Sequence, residues 1–259
     1  MDESLDSGRP EGTAAFGYRD VDEAEKPRLV RALFGRVAGR YDLMNDLMSG
    51  GIHRLWKREM VDWLALRPGQ SLLDVAGGTG DIAERVLQRL GPKAAGPILV
   101  CDLTEAMLRR GRDRMIDGGR LAAPITWLCG DAEALPLASR SVEAYTIGFG
   151  LRNVTHIEQA LAEAHRVLKP GGRFLCLEFS RVVLPVLDQL YELYSFRALP
   201  ALGAMVAGDR EAYLYLAESI RRFPDQETLA GLIAEAGFGQ VRYRNLSGGI
   251  AALHSAWRL

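Results

Sequence analysis

A chain of 259 residues, 48% hydrophobic and 25% charged, is long enough to bury a sizeable core and reads as one α/β domain with small appendages. Its formal net charge of -1 offers no electrostatic footprint for nucleic acid. Cys101, Cys129 and Cys176 match no metal-ligand spacing and lie in apolar runs, so reduced, buried thiols in a cytoplasmic protein are expected. No apolar run approaches the roughly 20 residues of a membrane span, and the polar, acidic start lacks the pattern of a signal peptide.

Residues 1–26 are dominated by Gly, Ser, Pro and acids and predict a disordered tail. From Pro27 the apolar residues Leu29, Val30, Leu33, Phe34, Val37 and Tyr41 recur at helical spacing, and a second amphipathic helix spans about 52–66, ended by Pro68-Gly69. These helices read equally as a decoration or as a lid, in which Met44, Leu47 and Met48 would form an adaptable apolar wall.

Alternating strand and helix signals follow. Strands are expected over 71–76, 98–102, 125–129, 142–149 and 173–179, with helices over 81–90, 105–117 and 157–168, the last stopped by Lys169-Pro170-Gly171-Gly172. This predicts a mostly parallel sheet covered on both faces. Residues 183–222 break the alternation with an aromatic-rich helical insertion. A helix over 226–235 and strands over 241–246 and 250–257, joined by Ser247-Gly248-Gly249, predict a terminal antiparallel hairpin.

The first strand runs into Ala76-Gly77-Gly78-Thr79-Gly80-Asp81, a glycine-rich turn opening a helix. Ligands of open α/β sheets bind outside the strands' carboxyl ends. Acids stand at three of these ends: Asp74 with Asp81, Asp102, and Asp131. A dinucleotide pyrophosphate would be opposed by a carboxylate at the helix start. A cofactor with an ammonium and a sulfonium suits it, and S-adenosyl-L-methionine has both. Asp102 is then the bidentate acceptor for the ribose hydroxyls, and Asp131 with the Ala132 N–H addresses the adenine edge. Each acid also has an ordinary reading as a helix cap or turn residue.

Several longer blocks carry a resemblance. They include Tyr41-Asp42-Leu43-Met44-Asn45, Leu73-Asp74-Val75-Ala76-Gly77-Gly78-Thr79-Gly80-Asp81, Gly150-Leu151-Arg152-Asn153-Val154 and Leu216-Ala217-Glu218-Ser219-Ile220. From about residue 28 onward the chain resembles the ubiquinone/menaquinone biosynthesis C-methyltransferases. The resemblance implies the Rossmann-like seven-stranded methyltransferase fold, S-adenosyl-L-methionine as cofactor, and methyl transfer to a ring carbon of a prenylated quinol. The resemblance carries the cofactor role onto Thr79, Asp102, Asp131 and Ala132; together with the glycine turn and its neighbours, the expected cofactor set is Asp74, Gly77, Gly78, Thr79, Gly80, Asp102, Leu103, Asp131, Ala132 and Gly148. Gly148 stands where the family has a serine, leaving only backbone contact, and Asp131 stands where relatives often have Asn.

For the chemistry, Arg152 is expected to stabilise a developing phenolate, with Asn153 and Tyr41 orienting the ring oxygens. The alternative for Arg152 is a loop cap paired with an acid. His53 reads first as a packing residue and second as a general base. Arg36, Arg40, Arg54, Lys57 and Arg58 form a basic set that reads as a solvated face, with peripheral contact with an anionic membrane as the alternative. A homo-oligomer and contact with other quinone-biosynthesis proteins are compatible with the sequence. Two rival readings are a non-catalytic cofactor-binding subunit of a quinone-biosynthesis assembly and a nicotinamide dehydrogenase, the latter disfavoured by Asp81.

Overall fold

The computed structural model describes residues 10–40, 46, 49–120, 122–183 and 210–259. Seven strands form one sheet: β3 (Leu72–Val75), β4 (Ile98–Asp102), β5 (Ile125–Cys129), β6 (Val142–Gly148), β7 (Leu168–Phe179), β8 (Gly239–Leu246) and β9 (Ala251–Trp257). Their order is β5-β4-β3-β6-β7-β9-β8. β5 through β7 are parallel neighbours, whereas β9 runs antiparallel to both β7 and β8. This is the mixed sheet with a terminal antiparallel hairpin that the sequence predicts.

Strand alternation divides the core. Leu72, Leu175 and Leu177 face one side, with residues of α2 (His53–Leu64), α3 (Asp81–Leu90) and α6 (Arg210–Arg222). Leu73, Phe174 and Cys176 face the other, with residues of α5 (Ile157–Val167) and α7 (Gln226–Glu235). Successive side chains point to opposite faces, so a strand covered on both sides is apolar at most positions, and any polar side chain it buries needs a partner. β3 is buried at every position. The remaining helices are α1 (Lys26–Val37), which carries a proline in its first turn, and α4 (Glu105–Asp117).

Three expectations are corrected. Part of the supposed tail is ordered: β1 (Thr13–Phe16) and β2 (Arg19–Asp22) form an antiparallel hairpin, with Ala14 and Phe16 buried. Its apolar residues alternate over only four positions, too few for a clear periodic signal, and the surface they bury against comes from the far end of the chain. Second, residues 169–172 do stop α5, but they stay within the span of β7 as a loop-out: Val142 lies opposite Leu168 and Ala144 opposite Arg173. Third, Cys101 and Cys176 are buried but Cys129 is exposed, because β5 is the sheet's edge strand. Residues 184–209, the greater part of the expected helical insertion, and Tyr41, Met44, Leu47 and Met48 lie outside the described residues.

Candidate active site

The chain leaves β3 toward β4 and β5, then returns to place β6 on β3's other side. The crevice between the carboxyl ends of β3 and β6 is therefore the sheet's switch point. Both strand ends carry a non-glycine residue in the left-handed region, Ala76 at φ 49° and Phe149 at φ 57°. Such conformations cost on the order of 1–3 kcal/mol each and persist where the surroundings over-determine them. The two turns meet there: a Cβ on Gly150 would come within 2.3 Å of the Ala76 Cβ, so residue 150 must be glycine for the loops to close on each other.

The glycine turn lies flat on the strand ends. Gly77 donates its N–H to the Cys101 carbonyl at 3.1 Å, and a Cβ there would lie 2.7 Å from Val100 Cγ1 and 2.9 Å from the Asp74 carbonyl oxygen. Beneath the turn, Asp74 is wholly buried. Its Oδ1 accepts the Thr146 hydroxyl at 2.8 Å, and its Oδ2 has no partner among the described residues. Burial pushes this carboxyl up to about 7, against the pull of the Thr146 hydrogen bond and the Lys57 charge. Asp74 thus supports the turn from below instead of facing a ligand.

An open cleft lies above the turn. Gly78, Asp102, Leu103, Asp131, Ala132 and Asn153, all expected at the site, line it together. Asp102 ends β4. Its Oδ2 accepts the Gly78 N–H at 2.9 Å and its Oδ1 the Thr104 N–H at 2.8 Å. Burial raises its pKa, and these backbone donors oppose the shift. Both oxygens are oriented by the main chain, and each retains lone pairs for a vicinal diol. A Cβ on Gly78 would stand 4.0 Å from Asp102 Oδ2 and 3.2 Å from Met107 Cε, so the missing side chain keeps that approach open. The opposite wall is apolar, with Pro27, Val30 and Phe34 of α1. α1 is held there by the Lys26 ammonium, which donates to the Val154 carbonyl at 2.6 Å. α1 thus forms one wall of the cleft.

Other predicted residues fall elsewhere. Thr79 is buried, and its carbonyl accepts from Arg114 at 3.0 Å. Gly80 caps α3 in the left-handed conformation. Gly148 packs against α3, where a Cβ would meet Ile82 Cδ1 at 2.8 Å, and it is not on the cleft wall. Asp81 does not present its charge to a cofactor: Oδ2 accepts from Lys57 Nζ at 2.8 Å and Oδ1 from Arg85 Nε at 3.0 Å. Burial would raise its pKa, but Lys57 and then Arg85 and Arg114 overcome this and hold it down at about 2. Asp81 therefore joins α2 to α3, contrary to the expectation that it faces a cationic cofactor; the acids on the cleft wall are Asp102, Asp131 and Glu133.

Arg152 lies in the short turn Leu151–Asn153 after β6, its side chain only 3% exposed. Its Nη1 donates to Glu178 Oε1 at 2.7 Å and to the Phe149 carbonyl at 2.6 Å. Glu178 also accepts the Phe179 N–H at 2.9 Å. Burial raises the Glu178 pKa, and the Arg152 charge opposes that rise. This is the acid-paired loop cap. Asn153, next in sequence, reaches the cleft and accepts the Tyr215 hydroxyl on its Oδ1 at 3.0 Å. His53 is buried against Asp46, with Nε2 and Oδ1 2.9 Å apart, which matches packing. The basic set is divided: Lys57 is buried on Asp81, Arg54 donates to Asp46 and Arg36 stands 3.5 Å from Glu211.

Sequence reading missed Phe149, Glu133, Thr155 and Tyr215. A bulky residue between glycines at a strand end, as in Gly148-Phe149-Gly150, is the one usable signal. Glu133 accepts from the Thr155 N–H and lies 2.8 Å from His156 Nδ1, joining two loops that have no common local pattern.

The sheet order, the glycine turn and an acid-lined cleft at the switch point together define a Rossmann-like, seven-stranded methyltransferase. The profile of the ubiE/COQ5 methyltransferase family matches residues 19–258, and the chain belongs to that family. It is 60% identical over 244 residues to the ubiquinone/menaquinone biosynthesis C-methyltransferase UbiE of Paracoccus denitrificans, covering 94% of this chain and 96% of that one. It is 57% identical over 253 residues to the protein of the same name from Cereibacter sphaeroides, covering 98% and 100%. Among solved structures it is similar to a SAM-dependent methyltransferase, possible histamine N-methyltransferase, from Thermotoga maritima. The TM-score is 0.62 at 20% identity, over 88% of this chain and 99% of that one. At that identity the likeness is one of fold.

Proposed function

We propose that this protein transfers a methyl group from S-adenosyl-L-methionine to a ring carbon of a prenylated quinol, in ubiquinone synthesis, menaquinone synthesis or both. The observation that carries the reading is the convergence of Asp102 and Asn153 on one cleft in a chain of this family. Bound in the cleft, the cofactor supplies an electrophilic methyl group on a sulfonium.

The residues present fit that cofactor. The anchored Asp102 carboxylate takes the ribose hydroxyls, and Leu103, Asp131 and Ala132 flank the adenine. The Gly77–Gly80 backbone leaves room for the methionine portion above buried Asp74. Asn153 and Tyr41 orient the quinol oxygens so that the ring carbon stands in line with the methyl group. With its Oδ1 taken by Tyr215, Asn153 keeps its amide hydrogens for a ring oxygen that gains negative charge. Arg152 acts through the turn it holds, as a positioning residue. Pro27, Val30 and Phe34 exclude water from the reacting groups.

A prenylated substrate resides in a bilayer. Peripheral membrane contact at the α2 end that exposes Ile52 (40%) and Leu55 (58%) fits that need, and flotation with anionic vesicles tests it. Among the described residues no helix is long and apolar enough to cross a membrane.

The deciding experiment incubates the protein with labelled S-adenosyl-L-methionine and, separately, demethylmenaquinol and 2-polyprenyl-6-methoxy-1,4-benzoquinol. Label recovered on a ring carbon of either product is expected. Cofactor binding with no methylated product from either quinol would return the reading to a non-catalytic subunit.

A further inference from the structure

The β1–β2 hairpin lies outside the cleft, yet it is fastened to α6 along its length. The Tyr18 N–H donates to Glu218 Oε2 at 2.9 Å, and Arg222 donates to Asp20 Oδ1 at 3.2 Å and to the Tyr18 carbonyl at 3.4 Å. Gly17 presses so closely on this helix that a Cβ there would fall within 2.2 Å of the Glu218 carboxylate. Between these fastenings, Phe16 is 5% exposed and stacks on Tyr215, with ring centroids 4.3 Å apart and planes at 30°. Tyr215 in turn donates its hydroxyl to Asn153 on the cleft wall.

We propose that the N-terminal hairpin is a positioning device of the substrate site, in which Phe16 fixes the Tyr215 ring and Tyr215 fixes the amide of Asn153. The inference rests on the reading of Asn153 as the group that orients a quinol oxygen. An asparagine amide has a broad, two-fold terminal torsion, and turning it over exchanges a donor for an acceptor. With the Tyr215 hydroxyl on Oδ1, only the donor end remains for the cleft. With that hydroxyl displaced, both orientations are accessible, and one of them offers a carbonyl to an oxygen that is gaining negative charge.

Tyr215 can hold the amide only while its ring cannot tilt. An aromatic face stacked at this separation restrains tilt in a way an aliphatic side chain of similar burial does not. Burial raises the Tyr215 phenol pKa, countered in part by Arg152, so the hydroxyl stays protonated and able to donate. Phe16 and Tyr215 are therefore positioning residues that act through Asn153.

The test uses the full chain with F16L, F16Y, Y215F and the F16L/Y215F double variant. Readouts are kcat and KM for the quinol accepted by the wild type, cofactor affinity by calorimetry, and the Asn153 side-chain amide signals in ¹H–¹⁵N spectra. Those signals are assigned by their loss in N153D. The expected result is a roughly tenfold fall in kcat for F16L and for Y215F, unchanged cofactor affinity, displaced Asn153 amide signals, near-normal behaviour of F16Y, and a double variant no slower than Y215F. Y215F removes a single hydroxyl, so it remains informative if F16L folds poorly. Unmoved amide signals and kcat in both single variants, or independent effects that multiply in the double variant, overturn the proposal. If N153A retains wild-type turnover, the assigned role of Asn153 fails instead, while the amide signals still show whether Phe16 sets its orientation.

Discussion

At the scale of single residues, the site depends on carboxylates whose environments differ sharply. Asp102 is reachable from the cleft and held by two backbone donors. Replacing it with Asn keeps the shape but removes a charged acceptor, worth about 1.5–3 kcal/mol. Calorimetry on D102N should show S-adenosyl-L-methionine binding weakened roughly 10- to 100-fold with the fold intact; wild-type affinity would remove Asp102 from the ribose site. Arg152 and Glu178 form the opposite case, a pair sealed from water. Removing one partner strands the other charge, so R152M should lower stability by about 3–5 kcal/mol in denaturant titrations. Adding E178Q should recover much of that loss. A fully stable R152M with abolished turnover would instead point to direct action on the substrate.

At the scale of elements, the strand-to-helix turn at Gly77 shows how close packing dictates residue type. A Cβ at Gly77 meets Val100 and the Asp74 carbonyl, neither of which is the free end of a flexible chain. G77A should therefore cost about 1–3 kcal/mol, the usual range for overpacking, read as a lower unfolding temperature with and without cofactor. The same turn explains why the glycine cluster is legible in sequence while the roles of its neighbours are not. A run such as Gly77-Gly78-Thr79-Gly80 announces a tight approach of backbone. It does not say that Asp74 lies beneath the turn, or that Asp81 is off the cleft wall and paired with Lys57 on an earlier helix. β1 and β2 make the same point from the other side, since four-residue strands carry little periodicity and gain their order from α6.

At the scale of the whole molecule, Asp74 and Asp81 give stability opposite dependences on pH. Asp81 is held near 2 in the folded protein, below its ordinary 3.8. Its contribution is present above about pH 4 and is lost as pH falls toward 2. It amounts to roughly 2 kcal/mol, and K57M should remove most of it. Asp74 is raised from 3.8 to about 7. The folded state then binds the extra proton, so this contribution is present below pH 3.8 and is lost as pH rises through 7. D74N should flatten the fall in stability between pH 4 and 7 while leaving the acid limb in place, as measured by chemical denaturation across that range. An unchanged profile would mean that Asp74 is not protonated in the folded protein at neutral pH.

Among the described residues, the sequence by itself determined the order of strands and helices from β3 onward and the terminal antiparallel hairpin, and it determined the family. It also put Asp102, Leu103, Asp131, Ala132 and Asn153 after strand ends that the fold brings to one cleft. These follow from local causes: apolar periodicity, turn residues, and the rule that loops at the carboxyl edge hold ligands. Only the tertiary structure decided which charge meets which. Lys57 neutralises Asp81, Glu178 claims Arg152, and Tyr18 and Glu218 join across 200 residues of sequence. Periodicity tells which face of an element is apolar, not which polar partner from another element will be buried beside it. That choice is made when the elements pack and each desolvated polar group must find a partner.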